Sequence, residues 1–143
     1  MCFLKKLNIL RYENAKKAFI KMNTNVEVKD AASVILIRNT KTKPSVLMGQ
    51  RGKNAAFMPK KFVFPGGAVE ETDFQINSFK PLNVNCKARM AYGCNEALVH
   101  ALTNAAIREL FEETGIIVGA KEKWTGMIPY EWKQFVDLGL VPD

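Results

Sequence analysis

Histidine is nearly absent from this chain, with His100 alone among 143 residues, and cysteine is scarce. Cys2, Cys86 and Cys94 are odd in number and show no Cys-x-x-Cys spacing. Imidazole and thiolate are the ligands on which zinc sites are built, so the composition argues against zinc, and reduced thiols are the default reading. No run approaches the roughly 20 consecutive apolar residues of a membrane span. The start Met1-Cys2-Phe3-Leu4-Lys5-Lys6 has no continuous apolar stretch and no small-residue cleavage site, which argues against secretion. It is also poorer in Arg and Ser than a transit peptide, so a cytoplasmic protein is expected. Internal repeats and low-complexity segments are missing as well.

What is present is ordinary globular material: 48% hydrophobic and 24% charged residues, enough for one domain with its own core. The net charge of +7 is uneven. Residues 1–29 carry seven Lys or Arg and two Glu, a balance of +5, whereas residues 30–143 carry fourteen and twelve, a balance of +2. A basic arm therefore precedes a nearly neutral body. Leu4, Leu7, Ala15, Ala18 and Met22 follow helical spacing, but Arg11 interrupts the stripe, so the arm reads as a solvated, partly helical extension. Basic residues are not interleaved with aromatic ones, and nucleic acid is not the expected partner.

Along the body, the β-branched run from Ala32 to Arg38 predicts a buried strand. Asn39–Pro44 predicts a polar turn, and Val46–Arg51 a second strand antiparallel to the first. Residues 52–61 read as a loop, and Phe62–Phe64 as a short strand entering a tight turn at Gly66-Gly67, where paired glycines supply positive φ and admit a close neighbour. Residues 74–93 have no clear period and predict a loop with one short helix. Asn95 offers an N-cap for a helix running from Glu96 to Thr114, closed by Gly115. A strand is expected over Ile116–Val118, and a short helix over Glu131–Leu138 with Tyr130, Phe135 and Leu138 partly buried. His100 lies eight residues before Arg108 and reads as a helix-surface residue.

The chemistry concentrates in Arg108-Glu109-Leu110-Phe111-Glu112-Glu113-Thr114-Gly115-Ile116. At about 100° per residue, Glu109, Glu112 and Glu113 fall at about 0°, 300° and 40°, within one arc of the helix. Glu109 and Glu113 are an i,i+4 like-charge pair, which costs a few tenths of a kcal/mol unless something offsets it. A hard divalent cation is the simplest candidate, since Mg²⁺ takes carboxylate oxygens and keeps other positions for water and phosphate. Arg108 and Glu112 form a separate i,i+4 pair through which the arginine can fix one carboxylate. Leu98, Leu102, Ala105, Ala106 and Leu110 form an inward stripe beside the acidic face. A solvated acidic patch ending an ordinary helix is the competing reading of these residues alone.

Read together, Phe64-Pro65-Gly66-Gly67, the Glu-rich residues after it and the acidic helix resemble the Nudix hydrolase family. That family's box is Gly, five residues, Glu, seven residues, then Arg-Glu-apolar-any-Glu-Glu-any-Gly-apolar, and residues 108–116 fit its second half without a mismatch. In the first half, Gly67 and five residues lead to Asp73 instead of Glu, and the spacer from Phe74 to Ile107 has 34 residues instead of seven. Such an insertion is tolerable because closure cost grows only with the logarithm of length. Val46-Leu47-Met48-Gly49-Gln50-Arg51 and Phe57-Met58-Pro59 look like the insertion-bearing CoA and acyl-CoA diphosphatase-like branch.

The resemblance implies an α/β/α sandwich around a mixed sheet in a domain spanning residues 30–143, with the insertion at about 74–100. It also implies metal-dependent hydrolysis of a pyrophosphate bond in a nucleoside diphosphate derivative, CoA or acyl-CoA among them. Mg²⁺ or Mn²⁺ would be held by Glu109, Glu112 and Glu113. Arg108 and these three glutamates would form the catalytic set, with Arg51, Gly66 and Gly67 binding substrate and the Gly66 carbonyl near the metal. The residues after Ile116 hold little strand signal, so the domain looks cut short; an exposed sheet face, a second copy or another chain completing the fold is expected. The alternative is an inactive remnant that binds a polyanion or a protein.

Overall fold

The computed structural model describes residues 28–55 and 58–143. Most of the basic arm, and with it the expected helical stripe, lies outside the described residues, as does Phe57. Among the described residues the strands form four antiparallel two-stranded ladders. Strand β1 is Ala31–Ser33, β2 Ile37–Arg38, β3 Ser45–Val46, β4 Gly49–Gln50, β5 Phe62–Val63, β6 Gly66–Ala68, β7 Gly119–Lys121 and β8 Leu140–Pro142. The helices are α1 (Val84–Met90), α2 (Glu96–Thr114) and α3 (Lys133–Asp137), with 3₁₀ turns at Glu71–Phe74 and Tyr130–Trp132.

The apolar run at residues 31–38 does form extended chain, but it is split between two partners. β1 pairs with β6, a ladder lengthened by Val69 N–H donating to Asp30 O and Val34 N–H donating to Pro65 O, both at 2.8 Å. β2 then pairs with β3, in register Ile37↔Val46. β4 pairs with β5, Gly49↔Val63 and Gln50↔Phe62, so the second expected strand is likewise broken in two. Burial corrects the sequence reading. Val34 and Leu36 are half-buried, whereas Ile35, Ile37, Val46, Met48 and Phe62 are exposed. Ile37 and Val46 face each other across the β2-β3 ladder and are both exposed, so the described residues leave that pair uncovered, something residue type alone could not report.

The long helix α2 has the expected bounds. Asn95 Oδ1 accepts from Leu98 N–H at 2.8 Å, and Gly115 at φ 73° donates its N–H to Phe111 O. An L side chain rarely adopts that φ, so glycine is needed at this cap. Val99, Ala101, Ala105, Ile107 and Leu110 are buried on α2. Ile76, Ile107, Trp132 and Phe135 form a core cluster, joined by Phe111, Ile117, Val118, Trp124 and Leu140. Phe111 and Phe135 meet edge to face with centroids 5.5 Å apart, a favoured aromatic geometry.

Four further expectations are corrected. Gly66-Gly67 lie in strand β6 and not in a tight turn. The strand expected at Ile116–Val118 starts at Gly119, because Ile117 and Val118 pack into the core and the ladder register is set by β8, Gly119↔Pro142. The short C-terminal helix is present, but Tyr130 and Leu138 are exposed while Trp132 and Phe135 are fully buried; three residues apart, the latter two share the inward side. His100 is half-buried, with Nε2 2.5 Å from Ile76 O, because the start of the insertion folds back over that side of the helix.

Candidate active site

Arg108 is the centre of the site, 1% exposed on the inner side of α2. Its Nε donates to Asp73 Oδ1 and its Nη2 to Asp73 Oδ2, both at 3.0 Å, a two-pronged pair with a carboxylate that is itself 0% exposed. Nη2 also donates to Ala68 O at 3.0 Å, which ties the guanidinium to β6. Nη1 reaches outward to Glu109 Oε1 at 3.0 Å and to both Glu112 oxygens at 3.3 and 3.4 Å. One side chain thus joins the loop carboxylate, the glycine strand and two carboxylates of the acidic face. Burial alone would lower the Arg108 pKa, but the hydrogen bonds and charge of Asp73, then the charges of Glu109 and Glu112, raise it. The guanidinium is charged at every working pH.

The glycines of β6 fit the site by their lack of a side chain. A β-carbon on Gly66, at φ 151°, would overlap the Ala32 carbonyl; one on Gly67 would overlap the Glu109 carboxylate. Gly66 N–H donates to Glu113 Oε2 at 3.1 Å. Glu109, with 16% of its side chain exposed, sits between strand and helix. Burial raises its pKa, Arg108 opposes this by charge and hydrogen bond, and the negative charges of Glu112 and Glu113 add to the rise. Glu112 and Glu113 are open to solvent.

The donor chemistry fits a hard divalent cation: three carboxylates, one of them in a cradle that only glycine leaves free. They are not gathered into a ready-made cluster, and among the described residues no group of three His, Cys, Asp or Glu is. Arg108 and Gly66 N–H hold the carboxylate oxygens instead.

Beside Glu113 and Thr114 lies an open cavity of about 590 Å³, lined also by Met48, Gln50, Arg51, Val63 and Pro65. Of the residues singled out from sequence, Arg108, Glu109, Glu112, Glu113, Gly66 and Gly67 make one contact network, and Arg51 joins them by sharing this cavity with Glu113. Sequence reasoning noticed Asp73 as an acidic residue at the right distance from Gly67 but missed its grip on Arg108. It missed Asn104 altogether, whose fully buried amide donates to Asp73 O at 2.8 Å and Ile76 O at 2.9 Å. A polar residue in the otherwise apolar stretch Ala101–Ile107 was the available signal.

The crystal structure of a NUDIX hydrolase from Alicyclobacillus acidocaldarius superposes with a TM-score of 0.56, at 22% identity, over 83% of this chain and 58% of that one. The fold is that of a Nudix hydrolase. In sequence, the chain is 36% identical over 96 residues to the Caenorhabditis elegans protein named "Putative nudix hydrolase 7", a match that takes in 67% of this chain and 24% of that protein. The chain therefore spans about a quarter of the curated relative it matches. No family model matches it. The structural neighbour shares the fold, and the sequence relative supports the Nudix hydrolase family for this chain, in agreement with residues 108–116. No helix among the described residues is long and apolar enough to cross a membrane.

Proposed function

We propose that the chain hydrolyses a pyrophosphate bond in a nucleoside diphosphate derivative, with Mg²⁺ or Mn²⁺ held by Glu109, Glu112 and Glu113. The observation that carries this reading is the arrangement around Arg108: one buried cation fixes two of the three carboxylates and the glycine strand beside a substrate-sized cavity. When bound, the cation supplies neutralisation of the phosphate oxygens as water attacks phosphorus. Arg108 orients Glu109 and Glu112. Glu109, the most buried of the three carboxylates, lies between Arg108 and the glycine strand, where it would serve as a ligand to the cation. Arg51 lines the cavity and can pair with phosphate oxygens.

Within this class we favour CoA or acyl-CoA, cut to a 4′-phosphopantetheine portion and an adenosine bisphosphate. Arg51, Lys53, Lys60 and Lys61 place positive charge on the loop beside the cavity, suited to a polyanion. A panel of CoA, ADP-ribose, NADH and a nucleoside triphosphate, run with Mg²⁺ and with Mn²⁺, tests both levels. Turnover of CoA above the others is expected. Ready cleavage of ADP-ribose or NADH without CoA overturns the CoA assignment; salt-sensitive binding of all four without turnover overturns the enzyme reading and favours a polyanion-binding module.

A further inference from the structure

His100, Asn104 and Arg108 are spaced by four, so they line up along one side of α2 at about 6 Å per step. All three meet the same short segment, Asp73–Ile76, where the insertion begins. A carbonyl only accepts, so His100 Nε2, 2.5 Å from Ile76 O, carries the proton and donates it. Asn104 Nδ2 donates to that same oxygen at 2.9 Å, and both its lone pairs are then used. Asn104 also holds Asp73 O at 2.8 Å, while the Asp73 carboxylate grips Arg108. Beyond Ile76 the chain departs from the core: the excursion over residues 77–94 includes α1, which buries none of its side chains.

We propose that His100 and Asn104 are positioning residues that fasten the start of the insertion to α2, so that Asp73 orients Arg108, and through it Glu109 and Glu112, independently of the excursion that follows. The physical need is plain. Asp73 and Arg108 are 35 positions apart and the excursion between them has no buried helix face, so without the clamp the buried side chain of Ile76 would be left to hold Asp73 on its downstream side. Asn104 makes this connection with a single amide, and its loss would leave the buried Asp73 carbonyl unpaired and Ile76 O with His100 alone.

The test has two readouts, of which only the second rests on the proposed metal-dependent reaction. The first is the exchange protection of the Arg108 Nε–H in ¹⁵N NMR spectra, which reports its bond to Asp73. The second is Mn²⁺ affinity by calorimetry on the same samples. In Asn104→Ala both should fall by about fivefold or more, the equivalent of one net hydrogen bond, while the indole signal of Trp132 stays dispersed. His100→Leu should move both readouts the same way, and His100→Gln, which restores an N–H donor, should return them towards the parent. A folded Asn104→Ala with an unchanged Arg108 signal overturns the proposal. Should that variant fail to fold, the His100 pair decides: indistinguishable Leu and Gln variants overturn it. If the parent chain binds no Mn²⁺, the proposed reaction fails, and the Arg108 signal still decides the positioning role.

Discussion

Replacing Asp73 is the sharpest perturbation of this site, because the carboxylate is fully buried and every contact is known. Asp73→Ala removes two bonds from Arg108 and the one accepted from Glu70 N–H at 2.9 Å, and leaves a guanidinium 1% exposed with no carboxylate at its inner end. Breaking one side of a buried pair costs about 3–5 kcal/mol. For a chain of this size that corresponds to a fall in Tm of about 10–15 °C, at about 3 °C per kcal/mol. Asp73→Asn keeps one acceptor but turns an amide N–H₂ toward a guanidinium donor, and should cost about 2–3 kcal/mol. Asp73→Glu, the residue usual in the family's box, forces one methylene into a filled site and should cost about 1–3 kcal/mol. In Asp73→Leu with Arg108→Met both charges are gone, so the loss should be well below the sum of the single losses. Urea unfolding of the four proteins in a double-variant cycle is the assay. Single losses below about 1 kcal/mol, or strict additivity, would refute the claim that this pair anchors the site.

Gly67→Ala should be destabilising by about 1–3 kcal/mol, because the new methyl meets the Glu109 carboxylate, and pairing it with the shorter Glu109→Asp should recover part of the loss in thermal melts. Glu109 titrates above an ordinary glutamate because of burial, so its contribution to stability is full below the unfolded glutamate range and is lost as pH rises through its raised folded pKa. Metal-free Glu109→Gln should accordingly be more stable than the parent at pH 7, with the advantage fading as pH falls through the raised Glu109 pKa and gone below about pH 4; a parent that is the more stable at neutral pH contradicts this. The exposed apolar strand residues make a separate prediction: Ile37→Lys with Phe62→Lys should cut hydrophobic-dye fluorescence while shifting Tm by no more than about 2–3 °C, and undiminished fluorescence would place the dye elsewhere.

The long helix was legible to the residue because its stop signals are local. Asn95 and Gly115 act within one turn of themselves, and the acidic arc follows from angular spacing alone. The strands were legible as extended segments but not as partners. Whether Ile35 and Ile37 are buried depends on what covers the sheet, and whether the ladder starts at Ile116 or Gly119 depends on where Leu140–Pro142 lies. The paired glycines were recognised as a place of close approach, yet their neighbours, the Ala32 carbonyl and the Glu109 carboxylate, come from distant parts of the chain. The same reason hid the inner half of the site. Arg108 reads locally as a partner for Glu112 at i,i+4, which it is at 3.3 Å, but its stronger pair with Asp73 spans 35 residues and an insertion with no periodic signal.

The central claim is that the acidic arc of α2 is a divalent-metal site, and Mn²⁺ titration calorimetry addresses it without depending on the substrate. The parent chain is expected to bind Mn²⁺, and Glu112→Gln and Glu113→Gln should each weaken that binding while leaving the unfolding transition in place, since both side chains are solvent-exposed. Unchanged affinity in both variants would mean that the carboxylates of the arc are a solvated face held by Arg108 and Gly66, and not a metal site.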